Sequence, residues 1–240
     1  MHPLAPAQHP ASRRAIFGGT FDPPHRGHMA IARAAADAFH LDQVLFAPTG
    51  RQPLKLKSNP SSFADRLAMV TAACVDACRA DRARPESRLE SRFAVTELDA
   101  PRPGGLPNYT VDTLTALRAL YPDDTLFSLA GADSFLNLHH WREPQRLLEL
   151  TEWIVVTRPG YPLTPLTEER LAPLHLTAAQ RERVHILTDV QEDVSATGLR
   201  ERLRHGDPCA DLLSPSVADY IRKRALYLPR ELPSDHASLS

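Results

Sequence analysis

Short, nearly continuous apolar runs recur along the 240-residue chain, separated by stretches in which apolar residues return every three or four positions. The runs at 15–17, 44–47, 93–95, 125–130, 153–157 and 184–187 are too short for helices and lack polar alternation. They therefore predict buried strands. Between them, 27–39 is rich in alanine and predicts a helix. The spacing of Phe63, Leu67, Val70 and Cys74 predicts another over 63–80. A third opens at Tyr109 or Thr110 with Val111, Leu114, Leu117 and Leu120 as its apolar face. Shorter helical pieces are expected over 136–141 and 144–150, while 163–183, with several prolines, receives no assignment. A helix after Val194 ends near His205-Gly206, where glycine suits a C-terminal cap, and a last one spans 215–225 with Pro215 in its first turn. Strands alternating with helices predict an α/β fold: a doubly wound, mostly parallel sheet with helices on both faces.

Composition narrows the class without naming a function. Hydrophobic residues make up 42% and charged residues 24%, ordinary for a globular protein. A net charge of -1 gives no reason to expect a nucleic-acid partner, and no apolar run approaches the ~18 residues of a membrane span. Cys74, Cys78 and Cys209 have neither zinc nor CxxC spacing and read as buried thiols in a reducing cytoplasm. The first 14 residues lack the apolar stretch of a signal peptide. The expected organisation is an amino-terminal extension over 1–13, one domain over 14–228 and a polar tail over 229–240. An oligomer is compatible with all of this.

Candidate chemistry gathers after the first strand, in Gly18-Gly19-Thr20-Phe21-Asp22-Pro23-Pro24-His25-Arg26-Gly27-His28. Two glycines allow a sharp turn and close approach of backbone to a ligand. Two histidines three apart where a loop enters a helix can face the same way, and helix amides beside imidazoles suit phosphate. The GxGxxG and GxxxxGK[ST] spacings of other phosphate loops are absent, which argues against a hydride-transfer enzyme. A zinc site at His25 and His28 lacks further ligands, and no HExxH occurs.

The loop resembles the GGTFDPxHxGH signature of the HxGH nucleotidyltransferases, most closely the bacterial nicotinate-mononucleotide adenylyltransferases. Val194-Ser195-Ala196-Thr197-Gly198-Leu199-Arg200 is similar to the ISxTxxR signature of that family, and Asn108-Tyr109-Thr110, Gly131-Ala132-Asp133-Ser134, Trp141 and Arg158-Pro159-Gly160-Tyr161 also match. The resemblance spans about residues 14–228. It implies a Rossmann-like fold and transfer of AMP from ATP to the 5′-phosphate of nicotinate mononucleotide, with release of pyrophosphate, in NAD biosynthesis. It implies His25, His28 and Arg200 as catalytic groups, and Gly18, Gly19, Thr20, Phe21, Gly131, Asp133, Ser195 and Thr197 around ATP. Lys55, Tyr109, Thr110, Trp141 and Arg158 would meet the mononucleotide, Trp141 by stacking on its ring. Mg²⁺ would accompany ATP, held by phosphate oxygens and water rather than by a protein cage.

Two departures stand out. Leu54 replaces the histidine of the common PxHK form beside Lys55, and Gly198 stands where bulkier residues are frequent, a change that loosens its turn by up to ~1 kcal/mol. Nicotinamide-mononucleotide and phosphopantetheine adenylyltransferases share the fold and are the nearest rivals. A non-catalytic nucleotide sensor would be marked by a lost histidine or Arg200, and all three residues are present.

Overall fold

Alternation inside the strands builds two cores at once, because successive side chains of an extended chain point to opposite faces. This is visible in the computed structural model, which describes residues 11–53, 60–82, 92–157, 167–188, 190 and 194–228. The strands are β1 (Arg13–Gly19), β2 (Gln43–Pro48), β3 (Phe93–Val95), β4 (Thr125–Gly131), β5 (Glu152–Val156) and β6 (Val184–Leu187). Between and after them come α1 (Arg26–Ala38), α2 (Phe63–Arg82), α3 (Thr110–Leu120), α4 (Ala132–Leu136) and α5 (Pro144–Leu150). Then follow α6 (Glu168–Leu171), α7 (Ala178–Glu182), α8 (Ala196–Arg204) and α9 (Pro215–Lys223).

One face of the sheet sends Ala15, Phe17, Val44, Phe46, Phe127 and Ile154 against Ala32, Ala35 and Ala36 of α1 and Val70 and Cys74 of α2. The other sends Ile16, Leu45, Leu126, Trp153 and Val155 against Val111, Leu114 and Leu117 of α3 and Leu147 and Leu148 of α5. Each large apolar side chain among them, such as Phe17, Leu45 or Ile154, contributes about 1.5–3 kcal/mol of burial. The alanines of α1 let that helix lie close to the strands. A third cluster joins Met69 and Ala73 of α2 to Leu199 and Leu203 of α8 and Val217 and Ile221 of α9. The helix α2 is thus covered on two sides.

All six strands are parallel, in the order β3-β2-β1-β4-β5-β6. The direction of winding reverses between β1 and β4, and a crevice opens there at the carboxyl ends of the strands. That is where Gly18-Gly19 and Gly131-Ala132-Asp133 leave the sheet.

Several sequence expectations shift. The predicted face of α3 loses Leu120, which is 61% exposed. The last helix stops at Lys223, and Ala225 takes a left-handed φ of 50° just beyond it. Over 167–183 the chain forms α6, a 3₁₀ turn at Ala172–Leu174 and α7, with Leu174 buried in the α3-side core. The first strand begins at Arg13, one residue ahead of the expected domain start, and Ser12 N–H donates to Asp124 Oδ1 at 2.9 Å. As expected, α8 gives way after His205 to Gly206, whose φ of 84° glycine tolerates.

Candidate active site

Gly18 and Gly19 are not a turn. Both lie in extended β1, and the left-handed residue is Phe21, at φ 50°. Its ring folds back over Gly19, so that a Cβ added there would meet Phe21 Cζ at 2.8 Å. The ring is held by Phe17 and Phe46, both with centroids 5.6 Å away, and by His28 at 4.9 Å. Gly18 has a different role: a Cβ there would meet nothing within 4 Å, and the residue lines an open cavity.

His25 caps the amino-terminus of α1 in extended conformation, and His28 sits in the first turn. Their imidazoles stack with centroids 3.7 Å apart, and the His25 backbone N–H donates to His28 Nδ1 at 3.2 Å. An accepting Nδ1 puts the proton of a neutral ring on Nε2, leaving one N–H donor for a ligand. Burial, reinforced by His25, holds the His28 pKa well below its ordinary 6.5, so the ring is neutral at physiological pH.

The second signature arrives from far along the chain. Ser195 caps α8, its hydroxyl accepting from Gly198 N–H at 3.4 Å. Arg200 donates through Nη2 to Thr197 Oγ1 at 3.3 Å and through Nη1 to the carbonyl oxygen of Asp22 at 2.7 Å. The last bond joins the histidine loop to the α8 amino-terminus across 178 residues of sequence. Of the first-turn amides of α8, that of Gly198 meets the Ser195 hydroxyl, and the helix amino-terminus as a whole is an anion-favouring end.

A cavity of 520 Å³ lies at the β1/β4 crevice, lined by Gly18, Thr49, Tyr109, Thr110, Gly131, Asp133 and Trp141 among others. Tyr109 caps α3 and Thr110 is its first residue; Trp141 is half-buried, in contrast to Trp153, which is core at 2% exposure. His25 and His28 are outside this lining, but Phe17 borders both, with its ring centroid 6.1 Å from that of His28. Asp133 lies in the first turn of α4, whose cap is Gly131. His140 lines the cavity, while His139 Nδ1 bonds the Leu136 carbonyl at 2.8 Å. Lys55 and Arg158, with Leu54, Lys57, Pro159, Gly160 and Tyr161, lie outside the described residues, as do 1–10 and 229–240.

Four further side chains frame the site, and none was singled out from sequence for a functional or structural role. Arg66, 2% exposed, donates to the carbonyls of Ser61 at 3.1 Å, Thr20 at 2.8 Å and Thr49 at 2.8 Å, tying the exits of β1 and β2 to the start of α2. The signal was a charged residue inside an apolar helical stripe. Tyr227 donates to the Asp22 carboxylate. Asp99 lines the cavity; burial pushes its carboxyl up to about 6, against the lowering effect of the Thr113 hydroxyl, which donates at 3.1 Å. Arg142 also lines the cavity and lies over the Tyr109 ring, its Cζ 4.8 Å from the centroid. Asn108, matched in sequence only as part of a motif, donates to the carbonyls of Asp99 at 3.2 Å and Ala100 at 2.7 Å and pins that segment beside Gly50.

The cysteines take no part. Cys74 and Cys209 are buried and Cys78 partly so, and burial drives the Cys74 thiol up to about 12. Among the described residues no three His, Cys, Asp or Glu side chains group as metal ligands, and no helix is long and apolar enough to cross a membrane.

Comparison with known proteins agrees with this geometry. Residues 16–202 match the family described as cytidylyltransferase-like. The chain is 38% identical over 220 residues to a probable nicotinate-nucleotide adenylyltransferase of Desulfitobacterium hafniense, covering 91% of this chain and 97% of that protein. It is also 38% identical to the corresponding protein of Streptomyces coelicolor, over 88% of this chain and 98% of the relative. Among solved structures, the nicotinic acid mononucleotide adenylyltransferase of Plasmodium falciparum complexed with NaAD superposes with a TM-score of 0.67. That match covers 90% of this chain and 97% of the other, and at 17% identity it is a likeness of fold.

Proposed function

The chain belongs to the cytidylyltransferase-like family, among its nicotinate-nucleotide adenylyltransferases, and from that premise we propose that it transfers AMP from ATP to nicotinate mononucleotide. The products are nicotinate adenine dinucleotide and pyrophosphate, in NAD biosynthesis. One observation carries the reading: Arg200 meets the Asp22 carbonyl at 2.7 Å, so both phosphate-type signatures form one site beside a nucleotide-sized cavity.

The chemistry asks little covalent work of the protein, because the attacking 5′-phosphate oxygen is already anionic. It forms a bond to the α-phosphorus of ATP as the bond to the bridging oxygen of pyrophosphate breaks. Catalysis is alignment of the two substrates and stabilisation of charge spreading onto the α-phosphate and the leaving group. In this proposal the Nε2–H of His28 donates to an α-phosphate oxygen, with His25 stacked behind it. The α8 amides, Ser195, Thr197 and the remaining N–H groups of Arg200 receive the leaving pyrophosphate. Gly18, whose missing side chain keeps the strand end open, lets backbone approach the phosphates, and Gly19, Thr20 and Phe21 continue that wall. Gly131 and Asp133 serve the adenosine ribose. Lys55 and Arg158 remain assigned to the mononucleotide by resemblance, and Tyr109, Thr110 and Trp141 surround its ring.

Mg²⁺ is proposed as part of the ATP substrate. A hard cation carried by phosphate oxygens and water would neutralise developing charge without a protein cage. Soluble substrates and a net charge of -1 support a cytoplasmic enzyme without nucleic-acid or membrane partners.

Steady-state pyrophosphate release with ATP, Mg²⁺ and either mononucleotide tests the reading. Turnover preferring nicotinate mononucleotide is expected. A preference for the amide, or no release with either, overturns it.

A further inference from the structure

The histidine loop carries a strained residue, and strain of this kind persists only where the surroundings hold it. Phe21 takes a left-handed φ of 50°, unfavourable for a bulky side chain. Guanidinium groups grip the chain on either side of it. Arg200 Nη1 donates to the carbonyl of Asp22, and Arg66 Nη1 donates to the carbonyl of Thr20 at 2.8 Å. Arg200 already has a place at the phosphates. Arg66 is 2% exposed and is not among the residues that line the cavity.

Three segments converge on the Arg66 fork. Besides Thr20, its Nη2 meets the carbonyl of Thr49, just past β2, at 2.8 Å, and its Nε that of Ser61, ahead of α2, at 3.1 Å. These segments are tied to the loop a second time. Thr49 N–H donates to the Gly19 carbonyl at 2.9 Å, and Ser61 N–H to Asp22 Oδ2 at 3.2 Å. The base of the fork is fixed as well, since the adjacent Asp65 accepts from the Ser62 hydroxyl at 2.6 Å and from Tyr220 of α9 at 2.9 Å. Burial lowers the guanidinium pKa, and the buried carboxylates of Asp22 and Asp99 oppose that shift. A planar trans peptide carries its C=O and N–H on opposite sides. Holding the Thr20 carbonyl therefore also sets the direction of the Phe21 N–H.

We propose that Arg66 is a positioning residue for adenylyl transfer: its fork preforms the Gly19-Thr20-Phe21 wall, with Phe21 in its strained conformation, before ATP arrives. It acts through backbone and touches neither substrate. The proposal deepens the adenylyltransferase reading above and rests on it. Arg66→Lys keeps the charge and loses the planar fork that meets three carbonyls at once.

The test compares wild type, Arg66→Lys and Arg66→Gln with a stability control, Val217→Ala, which thins the third core cluster. Arg66→Gln is included because a displaced buried charge could by itself prevent folding. Pyrophosphate release and amide hydrogen exchange of the substrate-free proteins are measured below their thermal midpoints. The Arg66 variants are expected to lower kcat about 10- to 100-fold, with KM for ATP and mononucleotide within about threefold of wild type. Exchange over residues 19–22 should quicken in the same variants. Val217→Ala should lower the midpoint, keep kcat within about twofold and leave exchange over 19–22 as in wild type. Unchanged kcat in the Arg66 variants, an equal loss in Val217→Ala, or unchanged exchange over 19–22 overturns the proposal. So does a failure of both Arg66 variants to fold, which makes the fork structural alone. If wild type releases no pyrophosphate with either mononucleotide, the reaction reading fails. Exchange over 19–22 then decides by itself whether Arg66 holds the wall.

Discussion

The hydroxyl of Tyr227 donates to Oδ1 of Asp22 at 2.5 Å, from 205 residues away in the chain. Asp22 is 5% exposed, and its Oδ2 also accepts from Ser61 N–H at 3.2 Å, while its carbonyl receives Arg200. One residue of the histidine loop thereby links the segment after α9, the lead-in to α2 and the arginine of α8. Burial and the neighbouring Asp22 carboxylate push the Tyr227 phenol far up, so it stays a proton donor.

Tyr227→Phe leaves a buried carboxylate oxygen without this donor, a cost of about 1–3 kcal/mol. We expect kcat to fall roughly 10-fold with KM little changed, because the loop and Arg200 lose their common anchor. Tyr220→Phe is the control: its hydroxyl donates to Asp65 at 2.9 Å, away from the histidine loop. Equal loss of kcat in both variants would reduce the Tyr227 contact to general stability.

His28→Ala removes the proposed donor to the α-phosphate. A loss on the order of 3 kcal/mol in transition-state stabilisation, some 100-fold or more in kcat, is expected with substrate binding largely kept. Full turnover in this variant would rule out His28 as that donor.

Gly19→Ala tests the wall behind the histidines. The new methyl group meets the Phe21 ring, which is 2% exposed and packed among Phe17, Phe46 and His28, so the ring cannot swing away freely. Overpacking of this kind costs about 1–3 kcal/mol. A lower thermal midpoint and a reduced kcat are expected together, since His28 leans on the displaced ring. A normal midpoint would show that the ring has room.

Asp99 makes stability depend on pH in a defined direction. Its folded pKa of about 6 stands above the ordinary carboxyl value of 3.8. Between those values the folded state holds a proton that the unfolded chain has released. The contribution of this group is therefore fully present below about pH 4 and lost as pH rises through about 6. Asp99→Asn keeps an acceptor for Thr113 and removes the buried charge. The variant should be more stable than wild type by about 1–3 kcal/mol near pH 8, and the gap should close near pH 4. Denaturant midpoints at the two pH values decide it; a gap that does not move with pH counts against the assignment.

Removal of Mg²⁺ separates chemistry from folding. Chelation should abolish pyrophosphate release and leave the thermal midpoint of the free protein unchanged, as expected of an ion that travels with ATP. A fall in the midpoint would indicate a structural ion.

Six strands, the main helices and the two signatures could be read from the sequence because each depends on local periodicity or on a contiguous motif. Runs such as Val44-Leu45-Phe46-Ala47 are buried on both faces, so their hydrophobicity survives any arrangement of neighbours. The histidine loop and the stretch from Ser195 to Arg200 were each legible for the same reason. Their meeting was not, since it requires the crossing from β1 to β4 and the return of α8 over α2. Nor could sequence tell that Phe21 makes the turn and Gly19 makes room for its ring. Arg66, Asp99, Arg142 and Tyr227 acquire roles from what tertiary packing places beside them. Local pattern determined the elements and the two signatures; the shared anchor at Asp22 and the place of Arg142 over the Tyr109 ring were decided by contacts between segments far apart in the chain.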